Sequence, residues 1–190
     1  MKNIVVGIDP GMSGSVAVLD NGIPSIYDTP IFKVKKGKYD YDIAEMVKIL
    51  SKFKKSTCII ENIFSMRGQG VSSTFNFGRG KGLWEGIAHS MQMKVHMVTP
   101  AVWKKTFPTL LAKHVNKPIL DQSTEDNKAL LKQYNKERQL AKHDAKGEAR
   151  ILAQKLYPNI AHMFDRVKDD GRAEALLIAH YGFSAMSSLH

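Results

Sequence analysis

The chain has 190 residues, 43% of them hydrophobic and 24% charged, with a single cysteine. That is apolar material enough for a sizeable core and too short a chain for two ordinary domains, and it excludes disorder as a general description. Lys and Arg number 28 against 18 Asp and Glu, a net charge of +10, which favours a polyanionic partner without separating nucleic acid, an anionic membrane and plain solubility.

The elements follow in chain order. Residues 3–9 form a buried strand on Ile4, Val5, Val6 and Ile8. A glycine turn over 10–15 leads to a second strand, SVAVLD. The Asn21-Gly22 pair is a hairpin signal that opens a third strand over 23–27. Lys33 to Lys38 reads as a basic loop, serving equally well as a DNA contact or as a solvated surface. Apolar residues at 43, 46, 47, 49 and 50 predict a helix over 42–53. STCIIE (56–61) is a fourth short buried strand, ending on a carboxylate. A Gly and Ser loop (67–73) precedes a helix over 74–93. Its four glycines imply that another backbone comes close on that face. A fifth strand spans 94–98, and Pro100 starts a short helix. Residues 110–144 are polar, with an exposed helix near 124–141. An amphipathic helix follows over 145–156, and a strongly apolar one over 170–186.

This order predicts an α/β fold with a five-stranded mixed sheet, an antiparallel hairpin followed by parallel strands, flanked by helices. We expect one domain over 1–190 with a charged helical insert at about 110–142. No run of about 18 apolar residues suggests a membrane span, and the opening MKNIVVGIDPG meets Gly and Pro too early for a signal peptide. Cys58 alone cannot form an internal disulfide, which fits a reducing, cytoplasmic setting. The charge is uneven: residues 33–105 carry a net +9, while residues 1–32 carry −2.

Four carboxylates carry the chemistry. Asp9 and Glu61 each end a buried strand, and ligands of open α/β sheets bind at strand ends. Asp170 and Glu174 lie four apart on the last helix and so share a face, although Asp169-Asp170-Gly171 also reads as a turn and cap. No Cys/His zinc spacing occurs. A carboxylate cluster selects hard cations such as Mg2+, with Mn2+ able to substitute, and two such ions per site suit phosphodiester hydrolysis.

These segments resemble the RuvC family of Holliday-junction resolvases, within the RNase H-like nuclease fold. IVVGIDPGMSGSVAVLD (4–20) is similar to the family's first hairpin, and IIENIF (59–64) to its second motif. The resemblance implies metal ligands at Asp9 and Glu61 and a base-stacking aromatic at Phe64; Arg67, Arg79 and Lys81 flank Phe64 and read either as phosphate contacts or as generic surface charges. FNFGRGKGLWEGIA (75–88) looks like the family's dimer-contact helix. TPAVWKK (99–105) and HDAKGEARILAQKLYP (143–158) place DNA-contacting lysines at Lys104 and Lys146. DDGRAEALLIAHYG (169–182) looks like the last helix with its carboxylate pair, Glu174 with either Asp169 or Asp170, of which Asp170 is taken because one helical turn brings it next to Glu174. Family members commonly carry two aspartates three apart on this helix, whereas an Asp and a Glu four apart stand here.

The resemblance implies a homodimeric, metal-dependent endonuclease that resolves four-way DNA junctions by paired nicks and leaves 5′-phosphate and 3′-hydroxyl ends. The compact form, with its charged insert, resembles phage-encoded members, which would act in a bacterial host's cytoplasm. The alternatives are a broader nuclease for flaps, forks and three-way branches, and a catalytically silent junction binder. His180 and the methionines Met91, Met93 and Met97 read as structural.

Overall fold

The computed structural model of the chain describes residues 3–64, 70–110, 118 and 124–187. Five strands form the central sheet: β1 (Ile4–Ile8), β2 (Ser15–Asp20), β3 (Ile23–Asp28), β6 (Thr57–Glu61) and β7 (Lys94–Val98). Their spatial order is β3-β2-β1-β6-β7. The first three strands are antiparallel, and β2 and β3 are joined at Asn21-Gly22, where φ is positive at both residues as that tight turn requires. β6 and β7 then add in parallel. The expected mixed sheet is what the chain forms.

Side-chain alternation divides the core. Val6, Ile8, Val16, Val18, Cys58 and Ile60 face α1 (Ile43–Ser51) and α2 (Val71–Ser90). Val5, Ala17, Leu19 and Ile59 face the opposite layer. That layer consists of α3 (Pro100–Trp103), the C-terminal part of α4 (Thr124–Leu156) and α5 (Asp170–Ser187). By the same parity Asp9, after Ile8, and Glu61, after Ile60, belong to the α5 side.

Three expectations are corrected. Residues 33–38, read as a loop, belong to a second sheet, the antiparallel hairpin β4 (Ile31–Lys35) and β5 (Lys38–Tyr41). The two helices read over 124–141 and 145–156 are one continuous helix of 33 residues. No proline interrupts them, and the lone Gly147 costs only about 1 kcal/mol. Of the glycines in α2, only Gly80 is buried against other backbone, near Pro10 and Tyr41; Gly78, Gly82 and Gly86 face open space among the described residues.

Glycines also set the depth of α5. A Cβ at Gly7 would strike the backbone of Ala175 and Ala179, and one at Gly171 would strike Ser13. The helix therefore lies directly on β1, with its first turn against the β1–β2 turn.

A candidate active site of converging carboxylates

β1 and β6 are parallel neighbours, with Ile8 opposite Ile60. The next residues, Asp9 and Glu61, therefore leave the sheet side by side, about 4.8 Å being the usual strand spacing. α5 crosses this edge with Asp170 and Glu174 on the facing side. Its start is pinned from outside the site. Asp169 accepts hydrogen bonds from the Arg166 guanidinium (2.8–3.2 Å) and from the Arg166 backbone N–H (2.9 Å). Arg172 pairs with Asp28 at the end of β3. Asp169 is thus a buried cap facing away from the cluster, and Asp170, its neighbour, is the one directed toward it.

Glu61 is 3% exposed. Its Oε1 accepts a 2.8 Å hydrogen bond from the Trp103 indole N–H, inside the protein. Burial, and then the charge of Glu174, push the Glu61 carboxyl up to about 7, against the pull of the Trp103 hydrogen bond. Burial raises Asp9 well above the usual carboxylate range, and Glu174 and Glu61 raise it further. Mutual repulsion of this kind places Asp9, Glu61 and Glu174 within one electrostatic site.

Two lysines answer that charge. Lys104, next to Trp103, donates to Glu174 Oε1 at 2.9 Å. Lys146, from α4, pairs with Asp170. Burial pulls the Lys146 ammonium down, but Asp170, Glu174 and Asp9 outweigh it and hold the group above its ordinary value. Lys146 also acts on Glu61, so one ammonium bears on all four carboxylates.

The donor set suits a hard divalent cation. It is all carboxylate oxygen, and two of its members already pair with cations, Asp170 with Lys146 and Glu174 with Lys104. Among the described residues, no group of three or more His, Cys, Asp or Glu side chains closes into a ready coordination shell. Two of the carboxylates turn to the lysines instead. Binding a metal there requires Lys146 and Lys104 to release Asp170 and Glu174.

The remaining expected residues fall around this cluster. Phe64, just past β6, is 67% exposed, and the Lys81 ammonium sits 5.6 Å from its ring centroid. Lys81 also donates to Asn62. Arg79 pairs with Asp40 and lies over the Tyr41 ring, so it is tied to the β4–β5 hairpin rather than presented freely. Arg67 lies outside the described residues. His180 shares a 2.8 Å hydrogen bond with the Tyr157 hydroxyl and packs on Phe107, a structural role. Met93 is buried, and Met91 and Met97 pack beside it. Sequence reasoning missed Trp103. Its signal was the indole itself, because a tryptophan buried in a core places its N–H on an acceptor, and a strand-end carboxylate is the acceptor to look for.

No protein-family model matches the sequence, and no curated protein matches it. Among solved structures, Thermus thermophilus RuvC in complex with a Holliday junction substrate is similar, at 16% identity and a TM-score of 0.55, covering 97% of this chain and 95% of that one. A second structure of Thermus thermophilus RuvC matches at 16% identity and a TM-score of 0.50, covering 97% and 96%. The chain has a RuvC-like fold of the RNase H-like type. Among the described residues, no helix is long and apolar enough to cross a membrane.

Proposed function

We propose that this RuvC-like chain is a metal-dependent endonuclease acting on branched DNA, and on four-way junctions in particular. What supports the reading is Asp9 and Glu61 at the ends of adjacent parallel strands, Glu174 of α5 acting electrostatically on both, and Asp170 linked to them through Lys146, on a protein of net charge +10. A pure phosphate binder gains nothing from four acids at its centre. The solved relative bound to a Holliday junction supports the same substrate class.

Asp9, Glu61, Asp170 and Glu174 would hold Mg2+, or Mn2+ in its place, in one or two ions. A divalent ion in such a site supplies charge neutralisation at the scissile phosphate and a more acidic water. The chain's own contribution is to orient these oxygens. Trp103 fixes the Glu61 carboxylate, and Gly7 and Gly171 let α5 bring Glu174 close to Asp9. Lys104 and Lys146 would pass from their carboxylates to DNA phosphates as substrate arrives. Phe64, exposed beside Lys81, is suited to stack on an unpaired base, worth about 1–3 kcal/mol. Two copies related by a two-fold axis would nick opposing strands of a two-fold junction, leaving 5′-phosphate and 3′-hydroxyl ends.

Cleavage of a synthetic mobile four-way junction, with and without Mg2+, tests the reading. The expected products are paired symmetric nicks that require the metal. Asp9→Asn should bind the junction as the wild type does and cut it about a hundred- to a thousandfold more slowly, the order of loss seen when a central electrostatic group is removed. Equal cutting of flaps and three-way branches would make the protein a general debranching nuclease. Binding without any cutting would make it a silent junction binder.

A further inference from the structure

The β4–β5 hairpin is not used by the site. It forms a two-stranded sheet separate from the central one, and every residue of β4 is exposed. Two strands that bury neither face are marginal in water. This one is held at its base. Tyr41 is buried and its hydroxyl donates to the Asn76 carbonyl at 3.1 Å, Asp40 pairs with Arg79, and the Asp42 N–H bonds Pro30 at 2.9 Å. Gly80 of α2 packs between Tyr41 and the Pro10 carbonyl, one residue from Asp9. The hairpin therefore projects from a fixed root beside the carboxylate cluster.

Its free end carries Lys33, Lys35, Lys36 and Lys38, all exposed, around a turn that Gly37 makes at φ +73°. Lys35 lies directly across from Lys38. Like charges in that relation destabilise a strand pair. The hairpin's one acid, Asp40, is already taken by Arg79. Phe32, Val34 and Tyr39 stand exposed beside the lysines, Tyr39 directly across from Lys33. A rooted ribbon with repelling cations and interleaved aromatics is unfavourable alone and is relieved by a polyanion. A second copy of the same hairpin would deepen the repulsion.

We infer that the β4–β5 hairpin is a second DNA-binding element, which grips the phosphates of a duplex arm leading away from the cleavage site. A two-stranded ribbon has the width to enter a major groove. This rests on the branched-DNA reading above and adds a site to it.

The test measures junction affinity in EDTA between about 50 and 200 mM salt, where proteins with several phosphate contacts lose affinity steeply. The variants are K33S/K35S/K36S/K38S and its all-arginine counterpart, each checked for native circular dichroism. Each phosphate contact contributes about 0.9 to the slope of log affinity against log salt, so the serine variant should lose roughly 2–4 from that slope. The arginine variant should keep the wild-type slope. Junction arms too short to reach the hairpin should lower the wild-type slope to that of the serine variant. An unchanged slope in the serine variant overturns the inference, as does an arginine variant that behaves like serine. A change of mass in light scattering with unchanged DNA binding also overturns it, by making the hairpin a self-association element. A wild type that binds the junction through the hairpin but cuts nothing leaves the inference standing and removes the nuclease reading. A wild type that binds no DNA removes both.

Discussion

Glu61 and Asp169 show how differently two buried carboxylates can be used. Glu61 is held neutral-prone by burial and by Glu174, with its pKa near 7, and Trp103 supplies the hydrogen bond that favours its ionised form. In metal-free protein, carbon-13 NMR should find this carboxyl titrating near 7, ionised above that pH and protonated below it. Trp103→Phe should move the midpoint up by about 1–2 pH units, since a hydrogen bond to a charged group is worth about 1.5–3 kcal/mol. Added Mg2+ should move it down, and a midpoint insensitive to both changes would remove Glu61 from the proposed site. Asp169 is the reverse case: the Arg166 hydrogen bonds, working against burial, hold it below the usual carboxylate range. Its folded pKa is depressed, so the stability it contributes is complete above its unfolded value of about 3.9 and is lost as pH falls through the folded value. Asp169→Asn should therefore lower the melting temperature by several degrees at pH 7, and the gap should close below about pH 4 as the wild-type acid protonates. Of this residue-scale picture, the strand-end acids were legible because a charged group closing an apolar strand needs a purpose. Helix spacing already favoured Asp170 over Asp169; what the sequence did not show is that Arg166 and Arg172 hold Asp169, contacts that depend on where α5 lands.

At the scale of elements, α5 carries Glu174 into electrostatic reach of the two strand-end acids, and Gly7 lets the helix lie directly on β1. Gly7→Ala places a methyl group against the backbone of Ala175 and Ala179, which cannot rotate away as a side chain could. Overpacking of this sort costs about 1–3 kcal/mol. Urea denaturation should show that loss, and the folded variant should cut more slowly than its stability explains, because Glu174 moves away from Asp9. A variant with reduced stability and full activity would show that the spacing of α5 is not what sets the site. The five central strands were legible from continuous or alternating β-branched runs, and from Asn21-Gly22. The β4–β5 hairpin was not, since it is polar and apolar on both faces and its strand form rests on the anchors at Tyr41, Asp40 and Asp42. The single α4 helix was hidden for a related reason: its first half is mostly exposed and carries no apolar stripe, so periodicity appears only where Ala149 and Ala153 meet α5.

At the scale of the whole molecule, the paired nicks proposed above need two copies of the chain, and α2 is the surface suited to join them. α2 presents Val71 and Phe75, 86% and 68% exposed, followed by Gly78, Gly82 and Gly86 with open space before them among the described residues. The spacing of these five residues keeps them on one side of the helix. Each glycine costs the helix about 1 kcal/mol relative to alanine, and among the described residues only Gly80 of this helix meets other backbone that a side chain would strike. A helix lying close across this stripe would supply the reason for the others and cover Phe75. We therefore predict a dimer of twice 21.3 kDa by light scattering, formed through α2. Gly82→Leu should yield a folded monomer with Mg2+-dependent nicking but without coupling between the two cuts. On a supercoiled plasmid bearing a cruciform, the wild type should give linear product directly, because both strands are cut before the complex separates. The Gly82→Leu variant should accumulate nicked circles, whose cruciform is reabsorbed once supercoiling is released. A wild type that also stops at nicked circles, or a Gly82→Leu variant that remains dimeric, would show that α2 does not join the two sites.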